Sequence, residues 1–294
     1  HRVQLGDIMA IEITTAEKRL LQKVSIPPRP QTLLTVSSEA KKEEPDVSVI
    51  ADAIASDMGI AAAVLQVVNS AAYRRAKEID SIQQAVMTLG FRRVFPIVKA
   101  VALKSALKSD YDLNEFWRYN EWVASACVMV SEAVGKPELR DHAYMLGLFQ
   151  SSGIPVMLSE FDEEYSELLN ASSSQPWPEI IEQEQRKFNT THTTMGALLA
   201  QQWKLPKIVV EVIYYLFDDS SIFSTSSELS NIALDLLGIL KISRYAIDLR
   251  TRSLAGQEEW QSVLDGVLEH FQIDEFKVEE IVELVHEELF DVEH

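Results

Sequence analysis

Apolar positions along the chain recur at helical spacing, and the predicted elements are all helices. Residues 14–24 read as a short amphipathic helix: Thr15 caps it, and Leu20, Leu21 and Val24 form its stripe. Ser25-Ile-Pro-Pro-Arg-Pro30 then forces extended backbone and acts as a rigid connector. Asp46 caps the next helix, with Val47, Ile50 and Ile54 on one face, and the helix stops near Ser56. Asp57 caps a second helix to Asn69, apolar on nearly every side and so expected at the centre of a bundle. Ser81 starts a helix that ends on Gly90, and Phe91–Leu107 continues with Pro96 near its first turns.

Residues 112–134 give a long helix with Phe116, Trp117, Val123, Val130 and Val134 on its apolar side. A helix over 138–152 and a short apolar turn from Pro155 follow. Polar amphipathic helices are expected over 161–170 and 176–188, where Asp162, Glu163, Glu164, Glu182 and Glu184 read as solvated faces. Thr191 caps 192–203, and Pro206 opens 206–217 as a first-turn proline. Helices over 228–249, 257–271 and 274–290 close the chain. Period-two alternation is absent, so the fold class is all-α. The bundle divides into an N-terminal helix (1–25), a first lobe (26–110) and a second lobe (111–294), with a continuous core because no flexible linker separates the lobes.

Charge narrows the function classes. The 294 residues carry 45 acids and 27 bases, a net charge of −18. Nucleic-acid binding needs a basic footprint and is not expected, which also disfavours a helix-turn-helix reading of residues 46–69. The charge is unevenly spread. Residues 74–108 hold eight bases and two acids, whereas 257–294 hold thirteen acids and one lysine. The two runs are expected to attract, within one chain or between two copies in a homodimer. No apolar run reaches the ~18 residues of a membrane span, and no signal peptide is legible. The single cysteine, Cys127, lies in an apolar stretch and reads as a buried small side chain in a reducing, cytoplasmic setting. The chain opens on His1 and not on Met, so it is expected to begin inside a longer gene product, with a domain upstream, or after a tag remnant.

Transition-metal sites need several imidazole or carboxylate groups at one point. The six histidines are His1, His142, His192, His270, His286 and His294, and no two have i, i+4 spacing. His142 follows Asp141 near a helix start and is expected to be exposed. His192 opens a helix, where a capping or hydrogen-bonding role is the plainer reading. Phosphate-loop, dinucleotide and nucleophile-elbow motifs are missing.

Several segments together resemble one family. They are Ile26-Pro-Pro-Arg-Pro30, the span from Asp46 to Asn69-Ser70 and Tyr73, Ser81-Ile82 to Leu89-Gly90, and Thr191-His192…Gly196-Ala-Leu-Leu…Trp203-Lys-Leu-Pro206. The combination resembles the HDOD domain, with Met58-Gly59 standing where that family has proline. HDOD domains are similar to the HD-domain phosphohydrolases, in which histidines and aspartates hold metals that activate water. On this resemblance the first His position is Tyr119, and the His-Asp pair falls on Gln150 and Ser151. The later His-His falls on Leu216 and Phe217, the late Asp is nearest Asp235, and only His192 remains. Glu184, eight residues earlier, is expected to support His192 by a hydrogen bond, and Asn69 is a second supporting residue. The resemblance implies a non-catalytic bacterial signal-transduction module without a cofactor or metal. It would bind a protein partner or small polar ligand in a remnant pocket of Tyr119, Gln150, Ser151, His192 and Phe217. A divergent metal-dependent phosphohydrolase and a dimeric scaffold are the alternatives.

Overall fold

Side-chain caps start several helices where local sequence places them. Asp46 accepts from the backbone N–H of Ser48 (2.8 Å) and Val49 (3.4 Å), and Asp57 from that of Ile60 (3.1 Å). Ser81 accepts from Gln84 N–H and Thr191 from Thr194 N–H, both at 3.1 Å. Each cap satisfies an N–H that the helix itself leaves unpaired. Gly90 has φ +81°, so it ends one helix and begins the next without the strain a Cβ would add.

The computed structural model describes Thr15 and residues 31–73, 78–107, 111–171, 175–218, 220–223 and 227–290. Apart from Thr15, which is helical and exposed, the expected helix over 14–24 and the proline-rich lead-in at 26–30 lie outside these residues. The helices up to residue 106 are α1 (Gln31–Glu39), α2 (Val47–Ala55), α3 (Met58–Val68), α4 (Ile82–Leu89) and α5 (Phe91–Ala106). Those that follow are α6 (Asn114–Ala133), α7 (Arg140–Phe149), α8 (Gly153–Ala171), α9 (Trp177–Phe188), α10 (His192–Gln202), α11 (Lys207–Tyr214), α12 (Asn231–Thr251), α13 (Leu254–Phe271) and α14 (Glu275–Phe290). Short 3₁₀ turns stand at Ala71–Tyr73, Pro137–Leu139 and Ser220–Phe223. The described residues contain no strand.

One hydrophobic core runs from Leu33 in α1 to Val285 in α14. Its middle is α7, where Ala143 to Phe149 are all buried. α7 packs on α6 and α12 and also on α5, so the core continues from the earlier helices into the later ones. Tyr73 reinforces this junction: its hydroxyl donates to Asp141 of α7 at 3.2 Å. The amide of Asn69 at the end of α3 clamps both backbone groups of Ile79, each at 2.9 Å. Cys127 is fully buried, and burial pushes its thiol up to about 12, which suits a core side chain.

Several expectations are corrected. α3 is not central: only Ile60, Val64 and Val68 are buried and Met58 is 83% exposed, because its many alanines present no bulky stripe on the other faces. α7 ends at Phe149, so Gln150 and Ser151 begin the turn into α8. The apolar turn at Pro155 and the helix over 161–170 form one element, α8, kinked at Asp162 (φ 48°), which accepts a hydrogen bond from Tyr111. α11 stops at Tyr214, which leaves Leu216 and Phe217 in the turn after it. His142 is half-buried rather than exposed. In the basic run, Arg93 faces Asp141 at 4.0 Å, Lys104 pairs with Glu121, and the Lys99 ammonium donates to the Lys204 carbonyl at 3.2 Å. These partners lie outside the acidic run, and Arg74, Arg75, Lys77 and Lys108 of the basic run lie outside the described residues. Among the described residues, no single helix is long and apolar enough to cross a membrane; α2 and α3 are so only together, and they meet at 110°.

Candidate functional site

The site is assembled from the turns that end α7 and α11, the start of α10, and the buried faces of α6, α12 and α13. His192 is fully buried at the start of α10. Its Nδ1 lies 2.9 and 3.0 Å from the two carboxylate oxygens of Glu184, which also accepts the His192 backbone N–H at 2.9 Å. The Tyr165 hydroxyl donates to the same carboxylate at 2.7 Å. Burial alone would raise the Glu184 carboxyl, but the charge and hydrogen bonds of His192 outweigh it and hold it below its ordinary value. The other ring nitrogen, Nε2, is buried and has no partner among the described residues. Trp177 and Phe217 flank the ring at 5.1 and 5.7 Å between centroids, and they stack on each other at 5.4 Å.

At the end of α7, Gln150 is fully buried. Its carbonyl oxygen accepts from Arg244 Nη1 at 2.7 Å, and its amide donates to Asn120 at 3.3 Å. The second arm of Arg244 donates to Glu259 at 2.7 Å, whose other oxygen accepts from Lys241 at 2.7 Å. Lys241 also donates to the Leu216 carbonyl at 2.6 Å. All three charged side chains are buried. Burial alone would raise the Glu259 carboxyl, but the two cations outweigh it and hold it low; burial pulls the Lys241 ammonium down. The Phe217 ring lies under both cations, 5.2 Å from each. One helical turn further along α12, Asp248 accepts from the Tyr119 hydroxyl at 2.9 Å. Burial pushes Asp248 up to about 6, with Arg244 opposing the rise.

Two of the five expected pocket residues meet at one cavity. Tyr119 and Ser151 line a cavity of about 520 Å³ together with Phe116, Asn120, Trp177, Arg244 and Asp248. Gln150 stands behind Arg244, while His192 and Phe217 stand behind Trp177. Leu216 is buried, and its carbonyl anchors Lys241. Asn69 lies on Ile79 and does not line this cavity. Asp235 is not a member of the site: it pairs with His270 and Lys136, each at 2.9 Å.

Sequence reasoning missed Lys241, Arg244, Asp248 and Glu259. A signal was available, since 241, 244 and 248 put three charged residues at helical spacing on a mostly apolar helix. The residues present do not fit a metal centre. Among the described residues, no group of three or more His, Cys, Asp or Glu side chains could hold an ion. A guanidinium bonded to Gln150, with an ammonium nearby, would also repel a metal cation there.

Other bacterial proteins share this all-helical fold. The sequence model of the HDOD domain matches residues 26–218, and the chain belongs to the HDOD family. In fold it is similar to a candidate phosphohydrolase from Shewanella amazonensis (TM-score 0.68, 22% identity, covering 93% of this chain and 94% of that one). It is also similar to an HDOD domain protein of unknown function from Geobacter sulfurreducens (TM-score 0.61, 18% identity, 94% and 98%). A candidate signal transduction protein from Marinobacter aquaeolei is matched at TM-score 0.67 and 23% identity over 92% of this chain and 59% of that one. Among curated relatives, an uncharacterised protein of Treponema pallidum is 25% identical over 211 residues, 70% of this chain. The chain spans 41% of that relative and 27% of an uncharacterised Bacillus subtilis protein to which it is also similar.

Proposed function

We propose that the chain is a non-hydrolytic regulatory module of a bacterial signalling pathway, binding a small polar ligand or a protein partner at the remnant site. The observation that carries this reading is the Arg244 guanidinium bonded at 2.7 Å to Gln150, the position at which the HD-domain resemblance places a metal-ligating pair. A fixed cation, pinned by Glu259, stands where a hydrolase would need anionic or imidazole donors. The Marinobacter neighbour's name points towards signalling and the Shewanella neighbour's towards hydrolysis, and the donor set here favours the former. The test is hydrolysis of bis(4-nitrophenyl) phosphate with added manganese, iron or zinc. The reading expects no turnover above metal and buffer alone. Metal-dependent turnover that disappears in His192→Ala would overturn it.

A further inference from the structure

A second cavity lies where α3 and α5 meet α6 and α7. Its volume is about 320 Å³, and it shares no lining residue with the cavity beside Arg244. Small side chains make the room: Gly59 and Ala63 of α3, Ser105 of α5 and Ser125 of α6 all stand at its wall. A Cβ on Gly59 would meet nothing nearer than Asp57 Oδ1, at 3.5 Å. Ile60, Val101 and Leu148, all buried, make the inner wall apolar. Charge at the wall is balanced, because Lys104 and Glu121 pair with each other and both reach solvent. The hydroxyls of Ser70 and Ser105 donate to the backbone carbonyls of Val67 and Ala102, each at 2.7 Å, so their protons are spent. Tyr144 differs. It lines the same cavity and is only 4% exposed, yet its hydroxyl bonds no described residue and its oxygen is not sealed off. Its ring is held edge-on against Tyr73, with centroids 5.7 Å apart. Burial and the nearby Glu121 carboxylate push the phenol well above its ordinary value, so it stays protonated and can donate. A hydroxyl this deeply placed ordinarily has a partner, and an acceptor reaching it from the cavity is favoured.

We propose that this cavity is a second ligand site, for an uncharged small molecule with an apolar body and a carbonyl oxygen that accepts from Tyr144. The paired wall charges call for no charge on the ligand, and the apolar inner wall calls for a hydrocarbon body. The volume lies at the small end of ligand sites, which begin at about 300 Å³, and suits a body of one ring. Bound there, the ligand touches four helices at once. The site stands apart from the Arg244 cluster and does not depend on how that cluster is read.

Acetophenone carries the required carbonyl, ethylbenzene has nearly its shape without the oxygen, and benzoate adds a charge. Saturation-transfer NMR titration of the full chain at pH 7 should show acetophenone binding about fivefold tighter than ethylbenzene, the order expected for one hydrogen bond between uncharged groups. Benzoate should show no comparable binding. Tyr144→Phe strands no partner and should fold as wild type does. It should bring acetophenone down to the ethylbenzene level and leave ethylbenzene unchanged. Ala63→Leu fills the cavity and should abolish binding of both; where it does not fold, Tyr144→Phe keeps the test decisive. No acetophenone binding by wild type, benzoate bound as well as acetophenone, or acetophenone binding unchanged in Tyr144→Phe would each overturn the proposal, as would binding retained in folded Ala63→Leu.

Discussion

Replacing Glu259 with glutamine removes the one carboxylate that holds two buried cations. Glu259 is 5% exposed and makes charge-assisted bonds of 2.7 Å to both Lys241 and Arg244. Glutamine is nearly isosteric and keeps one acceptor, so the cavity term is small and the electrostatic term dominates. Breaking a buried pair by removing one partner costs about 3–5 kcal/mol, since a charge is left uncompensated in low dielectric. Here two charges are left, although Lys241 has an escape. Burial already pulls its ammonium down, and without Glu259 its folded pKa falls further below the unfolded value. The unfolded state then binds more protons than the folded one, so the variant regains stability as pH rises towards the unfolded lysine value. Glu259→Gln should lose about 3–5 kcal/mol at pH 7, a fall in Tm of roughly 6–15 °C for a chain of this size, and lose less at pH 9. Urea denaturation followed by tryptophan fluorescence and circular dichroism measures both. A loss under about 1 kcal/mol, or one that grows with pH, would refute the reasoning. Substituting Lys241→Met, Arg244→Met and Glu259→Leu together should recover most of the loss, because a well-packed apolar trio needs no counter-charge.

Asp248→Asn should raise stability near neutral pH. The folded pKa of about 6 lies above the ordinary 3.8, so the folded state binds the proton more tightly and wild type loses up to about 3 kcal/mol as pH climbs through that window; denaturation at pH 4.5 and 7.5 should show the slope in wild type and not in the variant. Gly153→Ala should cost about 3 kcal/mol or more, since its Cβ would sit 1.9 Å from the His192 carbonyl oxygen, a backbone atom that cannot swing away; a near-neutral thermal shift would contradict the close packing of α8 on α10. Asn69→Ala strands both backbone groups of Ile79 and should cost about 1–3 kcal/mol by chemical denaturation.

Helix starts were legible because a cap is a local device: Asp46, Asp57, Ser81 and Thr191 each bond a backbone N–H two or three residues on. The Glu184–His192 contact was within reach for a related reason, since one helix-to-helix corner separates the two. α3 was misjudged because alanine is compatible with either face of a helix, and only the placement of α4 and α5 decides which face is covered. The charged cluster escaped because its bonds are non-local, joining Arg244 to Gln150 and Lys241 to Glu259. Hydropathy along α12 shows that charges sit on a buried helix, but not what neutralises them. The late Asp position was not legible because nearness in sequence does not fix a helix face, and the face of Asp235, the nearest acid, meets Lys136 and His270.

The most direct test of the central claim is the metal content of the purified chain, measured by mass spectrometry on protein made in iron-, manganese- and zinc-replete medium and never exposed to chelator. A site organised by Arg244, Lys241 and Glu259 predicts substoichiometric metal, unchanged in His192→Ala. One or two equivalents of a transition metal, lost in His192→Ala, would contradict it and return the chain to the hydrolases.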